Sequence, residues 1–144
     1  MNSNKHVLIS VASKHAQKIF EGEKLVELRR RTMRVPPGST VWIYVKLPVG
    51  SIVGRATVRA VHSSSPETLW RRFGGVSGLS RREFFEYFAG VTRGFALVLH
   101  GARRLRRSLT LDSLRQVARQ FQPPQFFLRL NADHPLFQHV TARE

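Results

Sequence analysis

Apolar and polar positions alternate with period two along some stretches of the chain and recur with helical spacing along others. The pattern predicts an α+β domain. His6 to Val11 is a short run of branched apolar residues and predicts a strand. Ser13 stands where a helix cap would. Ala16, Ile19 and Phe20 then share one face of a helix over Lys14–Glu21, which Gly22 ends. Lys24 to Arg30 alternates as a second strand. Pro36, Pro37 and Gly38 turn the chain before a third strand, Thr40 to Lys46. There Val41, Ile43 and Val45 face one way and Trp42 and Tyr44 the other. A long fourth strand, Ser51 to His62, sets Ile52, Gly54, Ala56, Val58 and Ala60 on one face, and small residues there suit a tightly curved sheet.

Ser65 followed by Pro66 opens a helix with a cap and a proline in its first turn. Ser80-Arg81-Arg82-Glu83 is a capping box for the next helix, which carries Phe84, Phe85, Tyr87 and Phe88 and closes at Gly90. Gly94 to Ala102 returns as a strand and Leu109 to Val117 is a short helix. Pro123 and Pro124 break the chain before a last strand, Gln125 to Leu130. Residues 1–130 are expected to form a single domain, and 131–144 a loosely attached C-terminal tail. Six strands with helices between them, without β-α-β repetition, predict a mixed or antiparallel β-barrel with helices at its ends.

Charge changes the picture. Lys and Arg total 24 against 9 acidic residues, a net charge of +15. A folded domain this basic repels itself, and a polyanion is the partner that relieves the repulsion: RNA, DNA or an anionic membrane surface. Arg outnumbers Lys. That leans towards nucleic acid, because the guanidinium fork matches phosphate and stacks on bases. A GC-rich genome accounts for Arg over Lys but not for the scarcity of acids. No apolar run approaches the ~20 residues of a membrane helix, so no membrane partner is expected. The polar start, Met1 to Lys5, lacks the apolar stretch of a secretory signal. The absence of Cys excludes disulfide scaffolds, thiolate metal sites and Cys nucleophiles. A cytoplasmic protein is expected.

Candidate chemistry centres on Lys24, Glu27 and Arg29. Glu27 and Arg29 are two apart on a strand, so they share a face and can pair there while Arg29 still offers donors to a ligand. Lys24 sits where a helix ends and a strand begins, a position from which side chains line clefts. A surface hairpin with solvated ions fits the same spacing. Arg29, Arg30, Arg31 and Arg34 form one basic cluster, and Arg103, Arg104, Arg106 and Arg107 another; both suit a phosphate backbone. Trp42, Tyr44, Trp70 and Phe126 are candidates for base stacking, with core packing as the alternative. Six His are present, none in a metal-ligand spacing. Asp occurs only at 112 and 133, so a carboxylate-built Mg²⁺ site is not expected. No metal or cofactor is implied. His15, in the first helix, is either a surface side chain or a catalytic one.

From His6 to Leu130 the chain resembles the ASCH family, relatives of the PUA RNA-binding barrel. Gly22-Glu23-Lys24-Leu25-Val26-Glu27-Leu28-Arg29 matches that family's G-x-K-x-x-E-x-R signature. Supporting blocks are Pro37-Gly38, Trp42-Ile43-Tyr44, Ile52-Val53-Gly54, Ser65 to Trp70, Phe84-x-x-Tyr87-Phe88-x-Gly90 and Pro123-Pro124-Gln125. The resemblance implies a PUA-like β-barrel with a cleft beside the signature, where Lys24, Glu27 and Arg29 face a ligand. It implies RNA binding first, of a single-stranded segment or an extruded base, with DNA left open. Some members are described as ribonucleases, and small ones as amidohydrolases releasing acetate from N4-acetylcytidine. Either would make the chain a hydrolase with Lys24 and Glu27 catalytic. The ribonuclease ranks ahead, because the amidohydrolase subgroup carries Thr where this chain has Glu27. A protein-interaction module of nucleoprotein complexes is the third class. The chain departs from the family pattern at Ala12 and Ser13, where many relatives have a basic residue and Pro. It departs also at His15, for a common Tyr, and at Phe126, where Ser is expected.

Overall fold

The computed structural model describes residues 5–143; residues 1–4, most of the polar start, and residue 144 lie outside the described residues. In chain order the elements are β1 (His6–Val11), α1 (Ser13–Phe20), β2 (Val26–Arg29), β3 (Thr40–Val45), β4 (Ser51–Ser64) and α2 (Pro66–Phe73). A 3₁₀ turn (Gly74–Val76) leads to α3 (Arg81–Tyr87), β5 (Gly94–Thr110), α4 (Leu111–Val117), β6 (Leu128–Arg129) and α5 (Phe137–Thr141). The strands form one mixed sheet in the order β2-β5-β4-β3-β1-β6, curled into a half-barrel. β1 runs parallel to β3, and the crossover such a pair needs carries α1 and β2. The other pairings are antiparallel. This is a mixed α+β architecture of six strands with helices between them, as the sequence pattern predicts, with the sheet open rather than closed.

Curvature comes from β4 and β5, whose register shifts between Ile52 and Gly54, Arg55 and Thr57, and Val58 and Ala60. Each irregularity puts extra residues on one strand of the pair, on β5 at the first two and on β4 at the third, and bends it. The bulges also overturn the uniform face expected over Ile52–Ala60. Ile52 packs with Trp42, whereas Val53, Ala56 and Val58 pack with Val41 and Ile43 on the opposite side. Gly54 lies between two of these register shifts. A Cβ there would stand 2.3 Å from the Phe20 ring and 2.6 Å from the Arg103 carbonyl, so α1 seats on the sheet only because Gly54 has no side chain.

Three cores follow from this layout. Val7, Ile9, Val41, Ile43 and Leu97 fill the space beneath α1. Leu8, Trp42, Tyr44, Leu109 and Leu114 form a second core. Val26, Leu28 and Ala96 meet Leu69, Phe84 and Phe88 of α2 and α3 in a third. Trp42 and Tyr44 are 0% and 2% exposed. Both faces of β3 are buried, so these rings are core residues and not the stacking platforms that alternation suggested.

Other boundaries move for local reasons. Ser13 is the first helical residue of α1, and the cap position falls to Ala12, which makes no side-chain bond. The caps of α2 and α3 are as the sequence predicts: Ser65 accepts from the Thr68 amide, and Ser80 and Glu83 form a reciprocal capping box. β5 runs on to Thr110 rather than stopping at Ala102, so Arg103 to Arg107 lie on a strand. The segment after 130 is docked, not loose: Leu136 and Val140 are fully buried in the second core.

Candidate functional site

The signature residues are positioned by a sharp turn and a doubly buried strand. Gly22 takes φ +82°, a conformation that favours glycine, and lets the chain leave α1 and fold back. The Lys24 amide donates to the Lys18 carbonyl, and the Leu25 amide to that of Val76. All four residues of β2 are buried. Val26 and Leu28 enter the core against α2 and α3. Glu27 and Arg29, on the other face, line a cavity of about 400 Å³ together with Lys24, His15, Ser10 and Tyr87.

Lys24 is 3% exposed, and its Nζ donates to the carbonyl of Ser77 at 2.5 Å. Loss of solvent pushes its pKa below the usual lysine value, and Glu27 opposes that shift. Glu27 Oε2 accepts from Arg29 Nη2 at 2.8 Å, so the same-face pairing expected from their spacing is made. Arg29 Nη1 donates to the carbonyl of Phe126 at 2.9 Å. Its Nε is buried without a partner among the described residues, as are His15 Nδ1 and Ser10 Oγ. Burial lowers the pKa of His15, Lys24 adds to the effect, and Glu27 opposes it; the neutral imidazole is favoured. Tyr87 Oη donates to the Leu28 carbonyl at 3.0 Å, and burial raises its pKa. The site therefore combines one buried ammonium, one guanidinium held by a carboxylate, a neutral-leaning imidazole and a phenol.

Lys24, Glu27 and Arg29 come together as the sequence predicts. Arg30, Arg31 and Phe126 fall in an adjoining recess. Arg34 is exposed, and its carbonyl accepts from Arg129 at 2.9 Å. Trp42 and Tyr44 are excluded by burial; the Trp42 indole donates to His6 Nδ1 at 3.1 Å. Arg103, Arg104, Arg106 and Arg107 are exposed on the far half of β5 and do not line the cavity. Arg104 lies over the Phe20 ring at 4.6 Å, and Arg106 and Arg107 border a separate recess with Arg143. Ser10, Tyr87 and Gln125 line the cavity without having been expected there. Ser10 left a trace, as a hydroxyl in an otherwise apolar strand. Gln125, in a loop, left only its place in the Pro123-Pro124-Gln125 block, with no sign of a cavity role.

Residues 4–128 match the family described as "Domain of unknown function (DUF365)". An ASCH domain-containing ribonuclease of Zymomonas mobilis is 35% identical over 121 residues, covering 84% of this chain and 81% of that protein. The crystal structure of ASCH from Zymomonas mobilis superposes with a TM-score of 0.90 at 31% identity, over 99% of this chain and 98% of that one. Human THYN1, solved in complex with 5-methylcytosine-containing DNA, shares the fold alone: TM-score 0.54 at 10% identity, with 98% of each chain covered.

Proposed function

The chain belongs to the ASCH family, and from that premise we propose that it binds single-stranded RNA in the cavity beside Lys24 and cleaves a phosphodiester there. The observation that carries this reading is the grouping of Lys24, Arg29 and a neutral-leaning His15 around one cavity of about 400 Å³ in a chain of net charge +15. Binding alone needs the cations. A half-buried imidazole, whose buried Nδ1 has no partner among the described residues, adds a proton acceptor that binding does not require. The similarity to a protein named as a ribonuclease supports cleavage over binding alone.

RNA carries its own nucleophile, the 2′-hydroxyl. Cleavage needs a base for that proton, positive charge at the phosphate oxygens and an acid for the departing oxygen. In this reading His15 takes the 2′-hydroxyl proton. The 2′ oxygen bonds to phosphorus as the bond from phosphorus to the 5′ oxygen breaks. Lys24, made a readier acid by burial, returns a proton to that oxygen. Arg29, fixed by Glu27, meets the phosphate oxygens. The products are a 2′,3′-cyclic phosphate and a 5′-hydroxyl.

The test is incubation with a single-stranded RNA and with DNA of the same sequence, the end groups being read by mass spectrometry. Cyclic phosphate ends from RNA, intact DNA, and loss of cleavage in both Lys24→Ala and His15→Gln are expected. Cleavage of DNA at a comparable rate, or 5′-phosphate ends, would overturn this chemistry. Binding with no turnover would leave an RNA-binding domain.

A further inference from the structure

Beside the main cavity lies a second recess of about 410 Å³. Its own walls are Arg30, Arg31, Val91 and Phe126, and it shares Arg29, Tyr87 and Gln125 with the main cavity. The two adjoin at these three residues. The recess offers an aromatic face and cations, and no carboxylate among the described residues that line it. The Arg31 guanidinium lies 4.5 Å from the centroid of the Phe126 ring. The cation stands over the ring, with Phe126 half-buried and Arg31 exposed. Arg30 is fixed in place, since its Nη1 donates to the carbonyls of Tyr87 and Ala89 at 2.7 and 2.8 Å. Phe126 is held through its backbone, where its carbonyl accepts from Arg29. The shared wall thus contains Arg29, whose Nε is buried and unpartnered among the described residues.

We propose that this recess is a second nucleotide subsite: it takes the base adjoining the nucleotide in the main cavity onto the Phe126–Arg31 stack, with the connecting phosphate at Arg29. The inference rests on the RNA reading of the main cavity and names the ligand's smallest productive form, a dinucleotide. Aromatic rings and guanidinium planes accept any base on its π-face, so the subsite reads length rather than sequence. The arrangement is preformed, and little side-chain freedom remains to be lost when the base arrives.

The probe is a series of 2′-O-methyl oligouridylate 3′-phosphates of one to four nucleotides, which the 2′-hydroxyl route cannot cleave, titrated against the full chain. Affinity is expected to rise about tenfold from one nucleotide to two, a step of the size base stacking supplies, and less for each later nucleotide. In Phe126→Leu, which keeps the carbonyl that Arg29 uses, and in Arg31→Gln, the two-to-one affinity ratio should fall to about one. As a second readout, 2-aminopurine placed at each position of the dinucleotide in turn should be quenched at one position by the wild type and at neither by Phe126→Leu. An undiminished ratio in both variants, or equal gains for every added nucleotide, overturns the subsite while RNA binding stands. Failure of the wild type to bind any member of the series overturns the RNA reading itself, and the subsite with it.

Discussion

Arg29 on β2 donates to the carbonyl of Phe126, two residues before β6, at 2.9 Å. β2 and β6 are the two ends of the sheet, and no backbone ladder joins them among the described residues. That side-chain bond therefore spans the opening of the half-barrel, while the same guanidinium pairs with Glu27 and lines the cavity. Closing the fold and shaping the site fall on one residue. Arg31 over the Phe126 ring and Arg129 bonded to the Arg34 carbonyl reinforce the seam.

The pair should be strongly coupled. Its side chains are 9% and 12% exposed, so removing either partner leaves a charge with little water to solvate it. Arg29→Ala is expected to cost about 3 kcal/mol, and Glu27→Gln about 1–2 kcal/mol. The double variant should cost at least about 1 kcal/mol less than the sum. Urea unfolding of the four proteins measures this; additivity would show that the two act independently.

Stability should rise with pH in two windows. Burial lowers the pKa of both His15 and Lys24. For a base whose folded value is lowered, the unfolded chain holds more protons between the two values, so stability climbs as pH rises through that interval. The His15 window closes at about 6.5 and that of Lys24 at about 10.4, their unfolded values. His15→Gln should flatten the first climb and Lys24→Met the second, in urea titrations across pH. The acid limb of RNA cleavage should lie below about pH 6.5 for the same reason. An unchanged slope in His15→Gln would show that the imidazole is solvated.

Salt should separate the surface from the site. Arg103, Arg104, Arg106 and Arg107 are exposed and outside the cavity. They are placed to meet the phosphates of a longer RNA. Log affinity is expected to fall with log salt at about 0.7 per phosphate neutralised, and replacing all four by Ala should make that slope shallower. Dinucleotide affinity should move much less. Equal losses for both ligands would place these arginines at the cavity after all.

Trp42 should behave as a core residue. Trp42→Phe removes a partly buried hydrogen bond to His6 and leaves a small void, for an expected loss of about 1–3 kcal/mol. Gly54→Ala forces a methyl group against Phe20 and the Arg103 carbonyl and should cost about 1–3 kcal/mol or more. Thermal unfolding reads both. Weaker RNA binding by fully folded Trp42→Phe would revive the stacking role.

What the sequence made legible was local. β1 follows from a run of branched apolar residues and β3 from a period-two pattern; the cap of α2 follows from Ser65 before Pro66, and that of α3 from Ser80 and Glu83, three apart. Glu27 and Arg29 followed from the same period, because β2 has no bulge between them. The faces of β4 were misread because a bulge leaves no mark in composition. The second half of β5 was hidden because Arg103 to Arg107 read as a basic cluster rather than as a strand. Tyr87 and Gln125 reach the cavity through packing between elements distant in sequence, which no spacing rule encodes.

An open sheet carries a hazard that a closed one lacks: its end strands offer unpaired amides and carbonyls to a strand of another molecule, the first step of aggregation. Here both ends are brief, four residues in β2 and two in β6. Each is also marked by arginine: Arg29 with Arg30 and Arg31 following at one end, Arg129 at the other. A second copy docking by strand addition would set like charges side by side, in a chain already carrying +15. The basic character that suits a polyanion thus also works against strand addition between copies. Neutralising that charge, as bound phosphates would, removes the protection. The chain is expected to be least soluble near charge balance with its polyanion, and to redissolve when either component is in excess.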